Sequence, residues 1–418
     1  NRSHTRYLLF FLILLASPLL ASPPATGVGS LVQDLGNPAL QPVEGQEPAV
    51  ILYKNGDQYS LNGVAKVLED PRGEFTIDDV TKPDLAAKFK STPGKTDAHN
   101  FGLTNSVFWI SLTLDYPRWA NKLPEKHWYL EVARAQLQQC ELFFPNGDGT
   151  FTKEAVDLRE SYSVRKVRHP NSVFPITTKL DQRITLYLRI KSDNALIIGL
   201  NLWTPKKFIE KVADDELIYG VFFGGMLILM LYNLFVYFSV RDISYLYFVL
   251  YMAGITLFEY IEMGHGLTLF EDSRGWARHS IISPLVWSTW WAIIMFTRKF
   301  LDTERYHRRI DHFLKFLQSF IGIYLFTSFL IERDVVSTWL SGFTFLGLLL
   351  LLGISFYSWS KKNENAVYFS IGWLLTVSGG ALQALALLKV VPSAPIYLAG
   401  APIGFLTGAV MISFSLAD

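Results

Sequence analysis

The chain has 418 residues, of which half are hydrophobic, 15% aromatic and only 18% charged, against about 25% charged in an ordinary soluble chain. A mean hydropathy of +0.23 over this length excludes a single water-soluble globule. The formal net charge of +1 excludes an electrostatic nucleic-acid binder, and the lone cysteine, Cys140, excludes an intrachain disulfide or a cysteine-rich metal site.

Residues 1–22 carry Arg2 and Arg6, an apolar run over 7–20 and then small residues. That pattern predicts a cleavable signal peptide. A first membrane anchor is the rival reading, but the run falls short of the ~20 residues a span needs and contains Pro18. Residues 23–47 read as a Pro/Gly-rich linker. From 48 to 204 the apolar residues alternate with period two. Phe108, Ile110, Leu112 and Leu114 share one face, as do Trp128, Leu130 and Val132, and again Ile184, Leu186, Leu188 and Ile190. Turn signals such as Pro145-Asn146-Gly147-Asp148-Gly149 and Leu180-Asp181-Gln182 separate these runs. The expectation is an exported all-β sandwich.

Thr204 and Pro205 suit the N-cap and first position of a helix, and nothing in 205–216 breaks one. We expect a linker helix running on into the next segment, with a flexible tether as the alternative. Seven nearly uncharged stretches then follow, at 217–239, 244–263, 280–297, 316–331, 335–357, 366–388 and 396–415. Each is near the length that crosses ~30 Å of hydrocarbon, and in lipid each must be helical. A cleaved signal puts the start of the first stretch outside. The inner loops then hold nine Lys and Arg and the outer loops four, which places the carboxyl end in the cytoplasm. Residues 416–418 begin a cytoplasmic segment. The fold class is thus a multidomain membrane protein, a sandwich followed by a seven-helix bundle.

No catalytic constellation emerges. None of the eight histidines lies mid-span, no metal-binding histidine pair occurs, and the last stretch has no lysine for a retinal Schiff base. No cofactor is expected. Within the spans the ionisable residues are Glu259 and Glu262, which share one helix face at i, i+3. They suggest an outward-facing polar pocket with Asn233, Gln383 and His265, or simple interfacial anchoring. On the non-core faces of the sandwich, Trp109, Ser111, Tyr129, Glu131, Tyr187 and Arg189 combine rings with a carboxylate and a guanidinium. Sugar-binding surfaces use that chemistry. The six form one site if their three strands are neighbours and a scatter if the strands belong to different sheets. Arg165, Arg168 and His169 extend the group toward an anionic ligand, and Asp70, Asp78 and Asp79 are weak candidates for a divalent cation.

The order and spacing of several short stretches resemble a known family. They are Leu68-Glu69-Asp70-Pro71 with Phe75-Thr76-Ile77-Asp78-Asp79-Val80, Phe101-Gly102 leading to Val107-Phe108-Trp109-Ile110, Trp128-Tyr129-Leu130-Glu131, and Leu186-Tyr187-Leu188-Arg189-Ile190 with Leu202-Trp203. In the apolar half they are Tyr232-Asn233-Leu234-Phe235, Arg241-Asp242 with Tyr245-Leu246-Tyr247, and Phe296 through Phe300-Leu301-Asp302-Thr303. Together these resemble the bacterial seven-transmembrane receptors with diverse intracellular signalling modules, in the branch with the type 2 extracellular domain. One departure is Arg308, where a proline-containing loop is expected. The resemblance implies a periplasmic jelly-roll sensor for a small ligand, carbohydrate-like or other, on an inner-membrane seven-helix transducer. It implies a homodimer surrounded by membrane lipid, and a cytoplasmic signalling module such as a histidine kinase or diguanylate cyclase. A transporter or channel with an exported accessory domain, and a structural envelope protein, are the competing readings.

Overall fold

The computed structural model describes residues 49–91, 98–102, 104–135, 137–157, 160, 162–192, 196–266, 276–327, 333–361, 366–388, 390–392 and 395–417. The expected signal peptide and linker, the end of the fourth apolar stretch and Asp418 lie outside the described residues.

Strands build the first domain. One sheet contains β1 (Val50–Ile51), β3 (Lys66–Asp70), β4 (Lys90–Ser91), β6 (Val107–Tyr116), β8 (Gln139–Pro145), β9 (Phe151–Asp157) and β11 (Gln182–Lys191). Its order is β4-β3-β6-β11-β8-β9, with β1 lying parallel to the far end of β6. A second sheet, of β2 (Gln58–Ser60), β7 (Glu125–Val132), β10 (Ser172–Lys179) and β13 (Leu200–Trp203), runs β10-β7-β13-β2. A small ribbon pairs β5 (His99–Gly102) with β12 (Leu196–Ile198).

The alternation decides what lies between the sheets. Phe108, Ile110, Leu112 and Leu114 of β6, and Ile184, Leu186, Leu188 and Ile190 of β11, meet Trp128, Leu130 and Val132 of β7 and Leu200 and Leu202 of β13 in one core. The β8–β9 hairpin turns through Gly147 and Gly149, both at φ +88°, a backbone region that favours glycine. Asp181 makes the tight turn by which the chain leaves β10 in one sheet and enters β11 in the other, at φ +65°.

The outer face of the first sheet is also covered. Residues 71–89, including short helices α1 (Ile77–Val80) and α2 (Pro83–Ala86), fold over it and pack Phe75, Ile77, Val80 and Phe89 on Leu68, Val107, Trp109 and Phe143. This makes β6 a strand buried on both faces, whereas the period-two pattern alone leaves its second face open.

Helices follow. α3 is a single helix of 36 residues, Pro205–Val240, about 54 Å long. The Thr204 hydroxyl accepts from the Lys207 N–H and Pro205 opens the first turn, as the sequence suggests. After it come α4 (Ile243–Glu262), α5 (Trp276–Phe300), α6 (Thr303–Tyr306), α7 (Arg308–Thr327), α8 (Arg333–Ser360), α9 (Ala366–Leu387), α10 (Pro395–Leu398) and α11 (Gly400–Ala417). Among the described residues, α3, α4 and α9 are long and apolar enough to cross a membrane. Leu346–Ser360 of α8 and Gly400–Leu416 of α11 are shorter apolar segments among the described residues, and α7 carries Arg308, Arg309, Asp311 and Lys315 in its first two turns.

Aromatic packing of Phe248, Trp290, Phe296, Phe369 and Trp373 fills the helical core. In the pair α9 and α11 the backbones touch: a Cβ on Gly379 would stand 2.2 Å from the Gly400 carbonyl oxygen. Small residues permit this approach. Near the carboxyl end, Asn233 of α3 donates to Ser413 Oγ at 2.8 Å, and the Tyr245 hydroxyl of α4 donates to the Leu416 carbonyl. At the opposite end the sandwich sits on the helices. Asn100 donates to the Ala386 carbonyl at 2.9 Å, and the turn at Gly264 lies against Pro170 and Ala135.

Candidate functional site

The six residues singled out on the sandwich separate into two groups, because β6 and β11 are neighbours in one sheet and β7 belongs to the other. The single composite site expected for neighbouring strands is therefore not formed.

Trp109 and Arg189 are cross-strand partners on the outer face of the first sheet, as are Ser111 and Tyr187. Trp109 is fully buried beneath the 71–89 segment, so it packs rather than presenting a platform. Arg189 reaches Glu141 Oε2 at 3.3 Å, Gln139 Oε1 at 3.4 Å and the Gly73 carbonyl at 3.2 Å. Glu141 also accepts from Lys153 at 2.7 Å. Half-buried Tyr187 stands edge-on to both Phe89 and Phe151. Ring edges, a guanidinium, an ammonium and a carboxylate thus meet at the margin of the covering segment. Glu141, Lys153, Phe89 and Phe151 escaped the sequence reading. The alternation of Glu141 and Phe143 against Cys140 and Leu142 along β8 was the available signal for the first of them.

Tyr129 and Glu131 lie instead beneath α3. The Tyr129 ring meets Phe208 edge-on at 5.2 Å, and Val167, Val173, Trp203 and Val212 complete that cluster. Glu131 has no exposed surface. Its Oε1 accepts from Lys211 Nζ at 2.7 Å and from Asn171 Nδ2 at 2.7 Å, and its Oε2 accepts from Trp203 Nε1 at 2.9 Å. Lys211, 3% exposed, also contacts Asp215 at 2.8 Å, one turn along the helix. Burial pushes the Glu131 carboxyl up, but the charge and hydrogen bond of Lys211 with the Asn171 amide outweigh it and hold the group below the usual carboxylate range. His169 borders the same network, its ring 5.2 Å from Phe208. Burial first, and then the Lys211 charge, press its imidazole down to about 4. The arrangement clamps a helix to a sheet through charge, with both partners of the pair buried.

The anionic-ligand extension does not form either. Arg165 donates from Nη1 to the His169 carbonyl at 2.9 Å and stacks on Tyr162, which orders its own loop. It borders a cavity of about 120 Å³ shared with Asp157, Glu160, Lys166 and Val173. Arg168 is exposed. The three aspartates are likewise dispersed. Asp70 accepts from the Gly73 and Phe75 N–H groups at 2.8 and 2.9 Å, Asp79 closes a capping box with Thr76, and Asp78 is exposed. Among the described residues no group of three or more His, Cys, Asp or Glu is placed to hold a metal ion.

In the helices, Asn233 does not join the expected polar pocket. It bonds to Ser413 near the end marked by the Tyr245–Leu416 contact, and Glu259 lies about 21 Å further along α4. Glu259 is buried and Glu262 half-buried at the sandwich end, where the charge of Glu262 is felt by Arg134. Gln383 lies one turn from Ala386 at that same end, and His265 nests among Tyr219, Phe223 and Tyr260.

Comparison with known families agrees with this division of the chain. The model described as 7TM diverse intracellular signalling matches residues 215–418, and that described as 7TMR-DISM extracellular 2 matches residues 62–204. No curated protein matches. The two matches meet at α3, the helix that the Glu131–Lys211 pair fastens to the sandwich. The chain belongs to the 7TMR-DISM family, the seven-transmembrane receptors with diverse intracellular signalling modules, in the branch with the type 2 extracellular domain.

Proposed function

We propose that this chain is the sensing and transducing part of a bacterial inner-membrane receptor. A small periplasmic ligand, carbohydrate-like in chemistry, biases the sandwich between two arrangements. Seven helices pass that bias to a cytoplasmic output module, a histidine kinase or diguanylate cyclase. The chain itself acts without catalysis, as a homodimer in the lipid bilayer. The observation that carries the reading is the continuity of α3, whose first turns are held in the sandwich by a buried ion pair and whose remainder is the first apolar stretch. A shift of the second sheet, passed on from the first through the shared core, acts on this helix, and coupling of ~1–3 kcal/mol gives a useful response.

The strand order supports a jelly roll. From β2 in the second sheet the chain passes to β3, β4 and β6 in the first, β7 in the second, β8 and β9 in the first, β10 in the second, β11 in the first and β13 in the second, the interleaving that two Greek keys produce. For the ligand we favour the margin of the covering segment, where Tyr187, Phe89 and Phe151 adjoin Arg189, Glu141 and Lys153. The test is thermal denaturation of the full chain in detergent against a panel of mono- and oligosaccharides, with Tyr187→Ala and Lys153→Ala alongside. A sugar that raises the wild-type midpoint and not that of the variants supports the site. Equal shifts in all three proteins remove it.

A further inference from the structure

The end of α5, the short α6 and the first turns of α7 together carry six cations, Arg298, Lys299, Arg305, Arg308, Arg309 and Lys315, against the carboxylates Asp302, Glu304 and Asp311. Two of the six are engaged internally. Arg298 binds Asp311 Oδ1 at 3.0 Å and Gln318 at 2.8 Å, while Lys315 binds Asp311 Oδ2 at 2.8 Å and lies 3.6 Å from Glu304. Lys299, Arg308 and Arg309 are exposed and have no ion-pair partner among the described residues. Arg305 meets the ring of Tyr306, itself 58% exposed. Lys361, at the end of α8, adds a further cation beside Tyr357, whose ring touches His307.

Immediately beyond these charges, α7 divides into two faces. Ile310, Leu314, Leu317, Ile321 and Tyr324 pack into the bundle, whereas Phe313, Phe316, Phe320 and Ile323 point outward, Phe316 at 70% exposure. The outward residues recur at three- and four-residue spacing, so they form one stripe. A stripe of bare phenylalanines needs an apolar medium, and acyl chains are that medium for a helix in this family. The same medium sets the level of the arginines. If the stripe faces acyl chains, the guanidiniums at its end lie among the phosphates, which they can bind in bidentate fashion.

We propose that Arg305, Arg308 and Arg309, at the head of the α7 aromatic stripe, form a docking surface for anionic phospholipid headgroups. The excess of cations over carboxylates makes the surface select anionic over zwitterionic lipid. The inference rests on the reading of this turn as the cytoplasmic edge of the membrane domain. It makes the stability of the transducer depend on the composition of the surrounding bilayer.

The experiment uses the full chain in mild detergent, with bound lipid counted by native mass spectrometry. Short-chain phosphatidylglycerol, phosphatidylcholine of equal chain length, and glycerol phosphate are titrated separately. Wild type retains phosphatidylglycerol in preference to phosphatidylcholine, and the triple variant R305Q/R308Q/R309Q binds it about five-fold more weakly per charge lost, on the order of a hundred-fold in all. K88Q/K90Q, which removes two exposed cations from the sandwich, keeps the wild-type affinity. The proposal is overturned if the triple variant retains the lipid as wild type does. It is equally overturned if K88Q/K90Q loses as much, or if glycerol phosphate binds as tightly as the lipid. Orientation is read separately, from labelling of Arg309→Cys in a Cys140→Ser background by an impermeant maleimide added to intact cells. Labelling there would refute the cytoplasmic assignment, while the lipid titration would still decide whether the surface binds headgroups.

Discussion

Replacing Lys211 by methionine tests the central clamp. The substitution keeps the length and apolar stem of the side chain and removes only its charge, so the packing of Phe208 and Val212 on the sandwich survives. Glu131 then stays buried without its countercharge, which costs about 3–5 kcal/mol in comparable pairs. Because Asn171 and Trp203 still donate to the carboxylate, the low end, about 3 kcal/mol, is the appropriate figure. The equilibrium for lifting the first turns of α3 off the sheet therefore rises about 150-fold. Hydrogen–deuterium exchange of the full chain reads this directly. Amides of residues 208–216 exchange faster by two orders of magnitude, while those of β6 and β11 keep wild-type protection. Adding Glu131→Gln to Lys211→Met removes the orphaned charge and restores at least ten-fold of the lost protection. Less than a five-fold change at 208–216 in the single variant would refute the reasoning.

Acidification should loosen the same contact. The docked His169 has its imidazole held down to about 4, so the undocked state takes up the proton first; docking is at full strength above about pH 6.5 and weakens as the pH falls toward 4, by up to about 3 kcal/mol. Glu131, also depressed, works in the same direction at lower pH, and exchange of 208–216 measured across this range, with His169→Gln flattening the upper part, checks the sign. Gly379→Ala puts a methyl group against the Gly400 carbonyl and should cost at least 1–3 kcal/mol, lowering the thermal midpoint in detergent, whereas Gly380→Ala, with nothing within 4 Å of the new Cβ, leaves it unchanged. Asp70→Asn keeps one acceptor oxygen but turns an amide donor toward either the Gly73 or the Phe75 N–H, which bond to different oxygens of the carboxylate; it costs about 1–3 kcal/mol and should speed limited proteolysis within 71–89 while the rest of the sandwich stays resistant.

Local pattern carried much of the architecture. Period-two runs such as 107–114 and 184–190 named the strand faces that meet in the core, since a strand buried on one side must alternate. The Thr204-Pro205 start announced α3, and the absence of breakers predicted its continuity. The failures share a physical origin. Trp109 looked like an outward platform because the segment that covers it has neither helical nor strand periodicity and reveals nothing of where it folds. Glu131 looked like a ligand group because its partner lies 80 positions away in sequence, on an element belonging to a different region. Asn233 and Glu259 are both polar residues in apolar helices, and only the antiparallel arrangement of α3 and α4 shows that they occupy opposite ends. Seven apolar stretches were legible, but charges in the first turns of α7 leave it below the length and composition that mark a span.

The backbone contact between α9 and α11 has a mechanical consequence. Most helix pairs are separated by a layer of side chains that can change rotamer and so dissipate a small displacement before it crosses. At Gly379, Gly400 and Gly404 that cushion is missing. The outer end of α9 is tethered to the sandwich through Asn100 and Ala386. Movement imposed there would reach α11 as from one half of a rigid girder to the other, by a route that does not run through the Glu131–Lys211 clamp.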